Sequence, residues 1–475
     1  MVSMTENFIH SNNSKTELLL PDKAIRCIVL FNRNGYECYV VGGFIRDTLL
    51  KKSTINKAID FATNATPQQM LTFLPNAKYE NVFGTVIVPL KESAYTLHLK
   101  NGEYLENDYF EITTYRSESL YKDRRHPENI TWGTRIEEDL SRRDFTINAL
   151  AYDGKRFVDI YNGVHDLKKK YIRAVNNAQI RFEEDALRML RAVRLASQLN
   201  FRIEKETYTA LQIQAKNLSY ISSERIREEF FALLSSKKAM EGVLLLKDTG
   251  LLQFILPELY PAFECDQKSP QRHHIYDVGT HLIKSLDACK NKDPIVRLAT
   301  LIHDIGKPKT KSITKAGVIT FYNHEIVGTQ MAYDIASRMR LSKKDTIRLT
   351  KLVRYHQFSV TEEQTDSALR RLIRNVGKEN ISDLLDLRVA DRVGSGAKAN
   401  SWRLDLYKKR LAQVQMLPFS VRDLTINGND IMHVLNMKSG PKVGTILEKL
   451  FELVENRKLE NTKKILTEYI KKIKP

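Results

Sequence analysis

The sequence predicts an α+β protein, with a small mixed β-sheet head followed by an all-α neck, body and tail. Short strand-like runs come early in the chain, at residues 39–41, 58–62, 84–89 and 109–116. Helical spacing then takes over: in RFEEDALRMLRAVRLASQLN, residues 181–200, Ala186, Leu190 and Val193 recur at the period that buries one face of a helix. A chain of 475 residues is also too long for a single core, so roughly two to four domains are expected.

Taken in order, residues 1–21 form a polar lead that lacks a signal-peptide pattern. Residues 21–33 have the spacing of a helix, with Ile25, Ile28, Val29 and Leu30 turned toward the sheet. Residues 39–41 run into Gly42 and Gly43, where the missing Cβ lets backbone N–H groups approach an anion closely. A helix over residues 44–50 opens at those glycines, so its positive end and Arg46 face the same anion. In the strand 58–62, positions 58 and 60 share a face. Two aspartates there would hold two divalent cations, but this chain has Ala58 and Asp60. A helix from about residue 67 and the strands 84–89 and 109–116 complete the sheet, and Glu111 lies in the last of these.

Residues 117–136, SESLYKDRRHPENITWGTRI, are polar with mixed charge, the composition of a mobile loop. The following EEDLSRRDFTINALAYD brings Arg142 and Arg143, whose guanidinium groups match phosphate oxygens two at a time. Within 181–200, Glu184, Asp185 and Arg188 are spaced to meet on a second face, which by itself could equally be a row of helix ion pairs. Residues 221–231, ISSERIREEFF, read as a helix capped by Ser223 that braces the one before it, and 242–258 close the neck. Beyond Tyr260, a helix-rich stretch carries His281, the pair His303 and Asp304, His324, His356 and Asp391. Imidazole and carboxylate without thiolate suit Mn, Fe, Ni, Co or Mg.

Lys and Arg exceed Asp and Glu by 75 − 57 = 18, which favours a polyanionic partner. Cys27, Cys38, Cys265 and Cys289 lack CxxC or zinc-ribbon spacing and read as core thiols of a cytoplasmic protein. No apolar run reaches the roughly 18 residues of a membrane span, and repeats and low-complexity segments are absent.

GGxxRD at Gly42 to Asp47, the tail FATNATP, RRDFTINA and EDxLRxLR together resemble the polymerase-β-like nucleotidyltransferases, and closely the class II tRNA nucleotidyltransferases, the CCA-adding enzymes. The resemblance implies a polar lead at 1–21, a nucleotidyltransferase head at 22–175, a nucleotide-selecting neck at 176–258, an HD-type body at 259–400 and a tRNA-contacting tail at 401–475. It implies CTP and ATP as substrates, the acceptor end and upper half of tRNA as partner, and no obligate protein partner. Mg2+ would be held by Asp60 and the acid expected at 58, with Glu111 beside the place of a third acid. Asp144 and Asn148 would lie near the ribose, and Arg191 and Arg194 would contact phosphate or base. Glu184, Asp185 and Arg188 would belong to the selecting helix. An arginine donor beside an aspartate acceptor suits the pairing edges of C and A and repels those of U and G, and a site whose buried polar groups go unpaired discriminates by about 10⁴ or more.

The long loop at 117–136 favours full CCA addition, with a plain surface loop as the other reading. The six histidine and aspartate residues resemble the metal site of an HD phosphohydrolase, holding a divalent transition metal or Mg2+ and acting on 2′,3′-cyclic phosphates or phosphate monoesters at RNA ends. Gly428, Asp430, Gly440, Pro441 and Gly444 match the family's tail, and lysines at 463, 464, 471, 472 and 474 give it a basic end. The departure is Ala58, read as an introduced inactivating change. A partial CC- or A-adding enzyme, a poly(A) polymerase, and a non-catalytic RNA-binding relative in which Ala58 is natural stay open.

Overall fold

The computed structural model describes residues 18–53, 58–74, 76–79, 84–89, 109–117, 131–267, 276–358, 364–415, 421–455 and 458–473. The chain divides into two units, Met1–Pro257 and Glu258–Pro475.

The first unit begins with α1 (Asp22–Arg33), β1 (Cys38–Val41), α2 (Gly43–Leu49), β2 (Asp60–Thr63) and α3 (Pro67–Phe73). It continues through β3 (Lys78–Tyr79), β4 (Thr85–Pro89), β5 (Tyr109–Thr114), β6 (Arg116–Ser117), β7 (Thr131–Trp132), α4 (Ile136–Ser141), β8 (Ala151–Tyr152) and β9 (Phe157–Val158). Seven strands form one sheet in the order β3-β4-β5-β2-β1-β8-β9. β2 and β5 run parallel and the other pairs antiparallel, so the sheet is mixed, as the sequence predicts. All four residues of β1 are buried, which fits its central place. The helix α3 starts where its sequence dictates: Thr66 and Gln69 form a capping box and Pro67 opens the first turn.

Three local expectations are corrected. The buried face of α1 is Ala24, Cys27, Ile28 and Phe31, while Ile25 and Val29 are exposed; four apolar residues spaced for one face belong to two. Within the expected loop 117–136, Arg116 pairs with Trp132 and Ser117 with Thr131, and α4 begins at Ile136; residues 118–130 lie outside the described residues. The strand expected from residue 58 enters its ladder only at Asp60.

Next come α5 (Gly163–Lys169), β10 (Tyr171–Ile172), α6 (Ala178–Glu184), α7 (Leu187–Leu199), β11 (Arg202–Ile203), α8 (Lys205–Gln214), α9 (Ser223–Leu234), α10 (Ala239–Asp248) and α11 (Leu252–Ile255). The single helix expected over 181–200 is two, α6 and α7, because Asp185 is extended at φ −144° and its Oδ1 accepts the Leu187 N–H at 3.0 Å. An aspartate that bonds its own backbone two residues on competes with the helix. Ala186, Leu190 and Val193 are buried as expected, and α7 packs against α9 and α10. The N-cap of α9 is Ser222, one residue before the serine expected there.

Among its described residues, the second unit is helical apart from one short hairpin, β12 (Ser312–Ile313) with β13 (Ile319–Thr320). Its helices are α12 (Tyr260–Phe263), α13 (Val278–Ala288), α14 (Pro294–Ile302), α15 (Lys307–Thr310), α16 (His324–Arg338), α17 (Lys343–Tyr355), α18 (Asp366–Val376), α19 (Ile381–Gly394), α20 (Trp402–Gln415), α21 (Gly428–Leu435), α22 (Pro441–Glu455) and α23 (Lys463–Lys471). Asp277, Asp293 and Ser342 cap α13, α14 and α17 with their side chains. The last three helices share a core of Leu424, Ile426, Ile431, Leu450, Leu466 and Ile470. Of the basic end, Lys463 is engaged by Asp430 at 2.9 Å. The four cysteines are free and buried, and no helix among the described residues is long and apolar enough to cross a membrane.

Gly306 lets the segment after Asp304 lie against the first turns of α16: a Cβ there would meet the His324 carbonyl oxygen at 2.2 Å and the Gly328 nitrogen at 2.7 Å. Gly306→Ala is expected to cost about 1–3 kcal/mol as overpacking against backbone. A lowered Tm checks it, whereas an unchanged melt would show that the two segments part easily.

Candidate functional site

In the head, a cavity of about 390 Å³ lies at the junction of β1, α2, β2 and α7, and six arginines line it: 46, 142, 143, 188, 191 and 194. Gly42, Gly43, Asp60, Asp144 and Asn148 line it as well, so the sequence-predicted residues largely converge; Leu195 is an addition. Gly42 has φ 72°, which favours glycine, and a Cβ there would stand 3.0 Å from Arg143 Nη1. Glu111 sits directly opposite Asp60 on the parallel neighbour strand, which brings the two acids to adjacent strands about 4.8 Å apart. Ala58 is exposed, Ile59 buried and Asp60 exposed, so positions 58 and 60 face the same way even though Ala58 precedes the ladder.

Each arginine of the cavity is held by an acid or a carbonyl. Arg46 donates to both Asp47 oxygens at 2.9 and 3.0 Å and to Asn148 Oδ1 at 2.7 Å. The fully buried Asp139 takes both Arg142 and Arg143, the latter at 2.9 and 3.2 Å. Burial opposes ionisation of Asp139, but the two arginines outweigh it and hold its carboxyl below the usual range. Asp144 is lowered in the same way, against its own burial, chiefly by Arg191 and the Asn148 amide. Exposed though Asp60 is, desolvation by the protein around it pushes its carboxyl up, with Arg143 the opposing charge.

The neck motif does not form the predicted trio. Arg188 donates to Glu184 Oε2 at 2.6 Å, to the Arg181 carbonyl at 3.1 Å and to the Arg142 carbonyl at 2.9 Å. Asp185, turned away by the helix break, accepts from Arg225 of α9 at 2.8 Å. Glu229 of the same helix clamps Arg191 at 3.2 Å and Arg194 at 2.5 Å. The bracing expected of residues 221–231 is thus carried by Arg225 and Glu229. Neither they nor Asp139 was singled out from sequence, although the i,i+3 and i,i+4 spacing of Asp139 to the arginines was the available signal.

In the second unit, α13, the end of α14, the start of α16, the end of α17 and α19 bring the six expected residues together. They form two triads, His281, His303 and Asp391, and Asp304, His324 and His356. Asp304 faces both: its Oδ1 lies 3.2 Å from His324 Nε2 and 3.4 Å from His356 Nε2, and its Oδ2 lies 3.5 Å from the Nε2 of His281 and of His303. His303, His324 and His356 each donate Nδ1–H to a backbone carbonyl, of Thr300, Phe321 and Val353, at 2.7–2.8 Å. Those bonds leave each neutral ring's Nε2 lone pair pointing inward. Nε2 atoms then face one another at 3.1 Å (His281 and His303) and 3.4 Å (His324 and His356), beside two carboxylates. Such a gathering of acceptors lacks only cations, which is the test a metal site must meet.

Electrostatics agree. Asp304 is held well below the carboxylate range despite burial, first by Lys307 at 2.6 Å and then by the histidines. Asp391 is likewise held low by His281 and His303. Burial resists protonation of His303, but Asp304 and Asp391 together raise it, whereas burial wins at His356 and lowers it. Lys307, buried and also bonded to Gln267 at 2.9 Å, is a member of this cluster that the sequence reading left unassigned.

The head geometry, an anion cavity beside a sheet that carries the acids, is that of a nucleotidyltransferase. Residues 38–173 match the Poly A polymerase head domain family, 200–263 the probable RNA and SrmB-binding site of polymerase A, and 319–470 the putative tRNA nucleotidyltransferase domain 2. The CCA-adding enzyme of Ligilactobacillus salivarius is 30% identical over 458 residues, 96% of this chain and 98% of that protein. An A-adding tRNA nucleotidyltransferase of Deinococcus radiodurans is 34% identical over 334 residues, covering 67% of this chain and 75% of the relative. The crystal structure of the Bacillus stearothermophilus CCA-adding enzyme in complex with CTP superimposes with a TM-score of 0.65 at 25% identity, covering 95% of this chain and 97% of that one. The chain belongs to the class II CCA-adding enzymes.

Asp139→Ala leaves Arg142 and Arg143 without their shared acid. Breaking a buried pair costs about 3 kcal/mol, so a lower denaturation midpoint is expected together with weaker CTP binding. Unaltered binding by calorimetry would show that the arginines keep their places without Asp139.

Proposed function

We propose that the head adds nucleotides to the 3′ end of tRNA from CTP and ATP, and that Ala58 cripples this addition. The single observation that carries the first part is the cavity of six arginines bordered by Asp60. A triphosphate there meets guanidinium groups already locked by Asp47, Asp139 and Glu229, so little reorganisation accompanies binding. The 3′-hydroxyl of the RNA attacks the α-phosphorus in line and pyrophosphate leaves. Mg2+ held at Asp60 and Glu111 would activate that hydroxyl and neutralise the leaving charge. Without a carboxylate at 58, one of the metal positions loses a protein ligand.

Choice between C and A on one side and U and G on the other is assigned to Arg188 and Asp185. Both must then exchange their present partners, Glu184 and Arg225, for the base edge. The partner is tRNA, approached by the acceptor end and upper half. The reaction belongs in the cytoplasm, where buried free thiols persist.

A second activity rests on the six-residue cluster of the body. His281, His303, Asp391, Asp304, His324 and His356 would hold divalent metal, which would supply an activated water to a phosphate ester at an RNA end. Lys307 holds Asp304 in register from behind.

With tRNA ending in CC and labelled ATP, Ala58→Asp is expected to gain on the order of 10²-fold or more in rate, the scale of restoring a metal contact at a transferring phosphoryl group. Equal rates for both proteins would remove the metal argument. Nucleotide dropout separates complete CCA addition from CC-only or A-only addition, and a long tail made with ATP alone would indicate a poly(A) polymerase. For the body, replacing His303 and Asp304 with alanine should abolish metal-dependent phosphate release from a 2′,3′-cyclic nucleotide and lower the bound metal measured by elemental analysis. Undiminished hydrolysis and metal content would sink that assignment.

A further inference from the structure

Beside the body cluster lies another cavity, of about 430 Å³, lined by Gln357, Phe358, Arg388, Arg392, Ser401 and Arg403 together with Leu404. It adjoins the metal-type cluster by chain and by contact. Gln357 and Phe358 directly follow His356, while Arg388 and Arg392 flank Asp391 on α19. Arg388 Nη1 donates to Asp391 Oδ2 at 2.8 Å. Among the described residues, three guanidinium groups line this cavity and no carboxylate does. The Nε–H groups of Arg388 and Arg392 are buried without a hydrogen-bond partner among the described residues. Protein donors are rarely left so unless a ligand or water completes them. Phe358 stacks on Tyr407 at 5.2 Å and 21°, with the Arg388 guanidinium 5.6 Å from the Phe358 ring centre, so the ring is already used as a wall.

Catalysis at the cluster itself does not explain these cations, because a scissile phosphate there would be neutralised by metal. They stand one residue's reach away, where a neighbouring anionic group of the same substrate would fall. We propose that this cavity is a subsite for a second phosphate, so that the compound hydrolysed at the cluster carries at least one phosphate besides the one cleaved. The inference rests on the phosphohydrolase reading of the body. In the reaction, water adds to phosphorus, the ester P–O bond breaks, and the leaving oxygen takes up the proton that the water gives up. The second phosphate is not altered; Arg388, Arg392 and Arg403 hold it. Two sources share this chemistry, the next internucleotide phosphate of an RNA 3′ end and a further phosphate of a nucleoside polyphosphate.

The test uses the full chain loaded with Mn2+. Phosphate release is compared for the dinucleotide UpUp and the mononucleotide Up, both ending in a 3′-phosphate, and for adenosine 3′,5′-bisphosphate against adenosine 3′-monophosphate, in which the same ester is cleaved. A second charge-assisted contact should favour UpUp by about tenfold or more in kcat/KM. Arg403→Ala should bring that ratio toward one and Arg403→Lys should restore part of it. Arg403 is exposed, so its loss does not threaten the fold. Binding is read without turnover from Trp402, the neighbour of Arg403 and, after Trp132→Phe, the one tryptophan left of two. UpUp should change its fluorescence at lower concentration than Up, and Arg403→Ala should erase the difference.

A preference for adenosine 3′,5′-bisphosphate over the 3′-monophosphate without one for UpUp would support the second phosphate and assign it to nucleosides that carry several phosphates. Equal binding and turnover of one- and two-phosphate compounds, unmoved by Arg403→Ala, would overturn the subsite and leave the phosphohydrolase standing. Tighter binding of UpUp with no hydrolysis of any compound would do the reverse.

Discussion

Six guanidinium groups in one cavity of about 390 Å³ repel one another, and the head depends on the acids that keep them there. Asp47, Asp139, Asp144, Glu184 and Glu229 stand behind the arginines, and Asp139 is fully buried. Each removed ion would cost several kcal/mol in desolvation if unpaired. Pairing behind leaves the opposite edges of the guanidinium groups toward the cavity. Because Glu229 comes from α9 and Asp144 from the turn after α4, this ion-pair chain also ties the neck helices to the head sheet. A polyanion is the one ligand that lowers the remaining repulsion.

The body presents the inverse arrangement. There the backbone carbonyls of Thr300, Phe321 and Val353 fix the imidazoles so that lone pairs meet lone pairs beside Asp304 and Asp391. On the protein side, the Lys307 ammonium 2.6 Å from Asp304 supplies positive charge. The head thus gathers hydrogen-bond donors and the body gathers acceptors, and each set is held largely by buried partners of opposite kind.

These partners explain what could be read from sequence and what could not. The mixed sheet, the glycine turn at Gly42, the paired arginines and the six clustered histidine and aspartate residues of the body follow from motif spacing, since each is a local feature or a fixed chemical set. Asp139, Arg225, Glu229 and Lys307 act through contacts that tertiary packing creates, or through spacing that an ordinary helix ion pair would also give. The break at Asp185 escaped for a related reason: apolar periodicity runs through Ala186, Leu190 and Val193 without interruption, and only the side-chain bond to the Leu187 N–H decides against a continuous helix. Likewise α1 buries Phe31 and Cys27 where a window centred on Ile25 and Val29 pointed elsewhere.

Position 58 carries a different kind of information. An alanine that faces the same side as Asp60, beside a register that seats Glu111 opposite it, removes charge and leaves shape untouched. Had the head drifted without selection, the costly features would be expected to erode together, because gathering six like charges in one cavity destabilises a protein that no longer binds an anion. Here the arginines, their buried acids and the positive-φ glycine all remain. On the function proposed for the head, the defect would therefore separate binding from chemistry: such a chain would still hold tRNA and triphosphate while the metal-dependent step is crippled, and the body cluster keeps all six of its histidine and aspartate residues together.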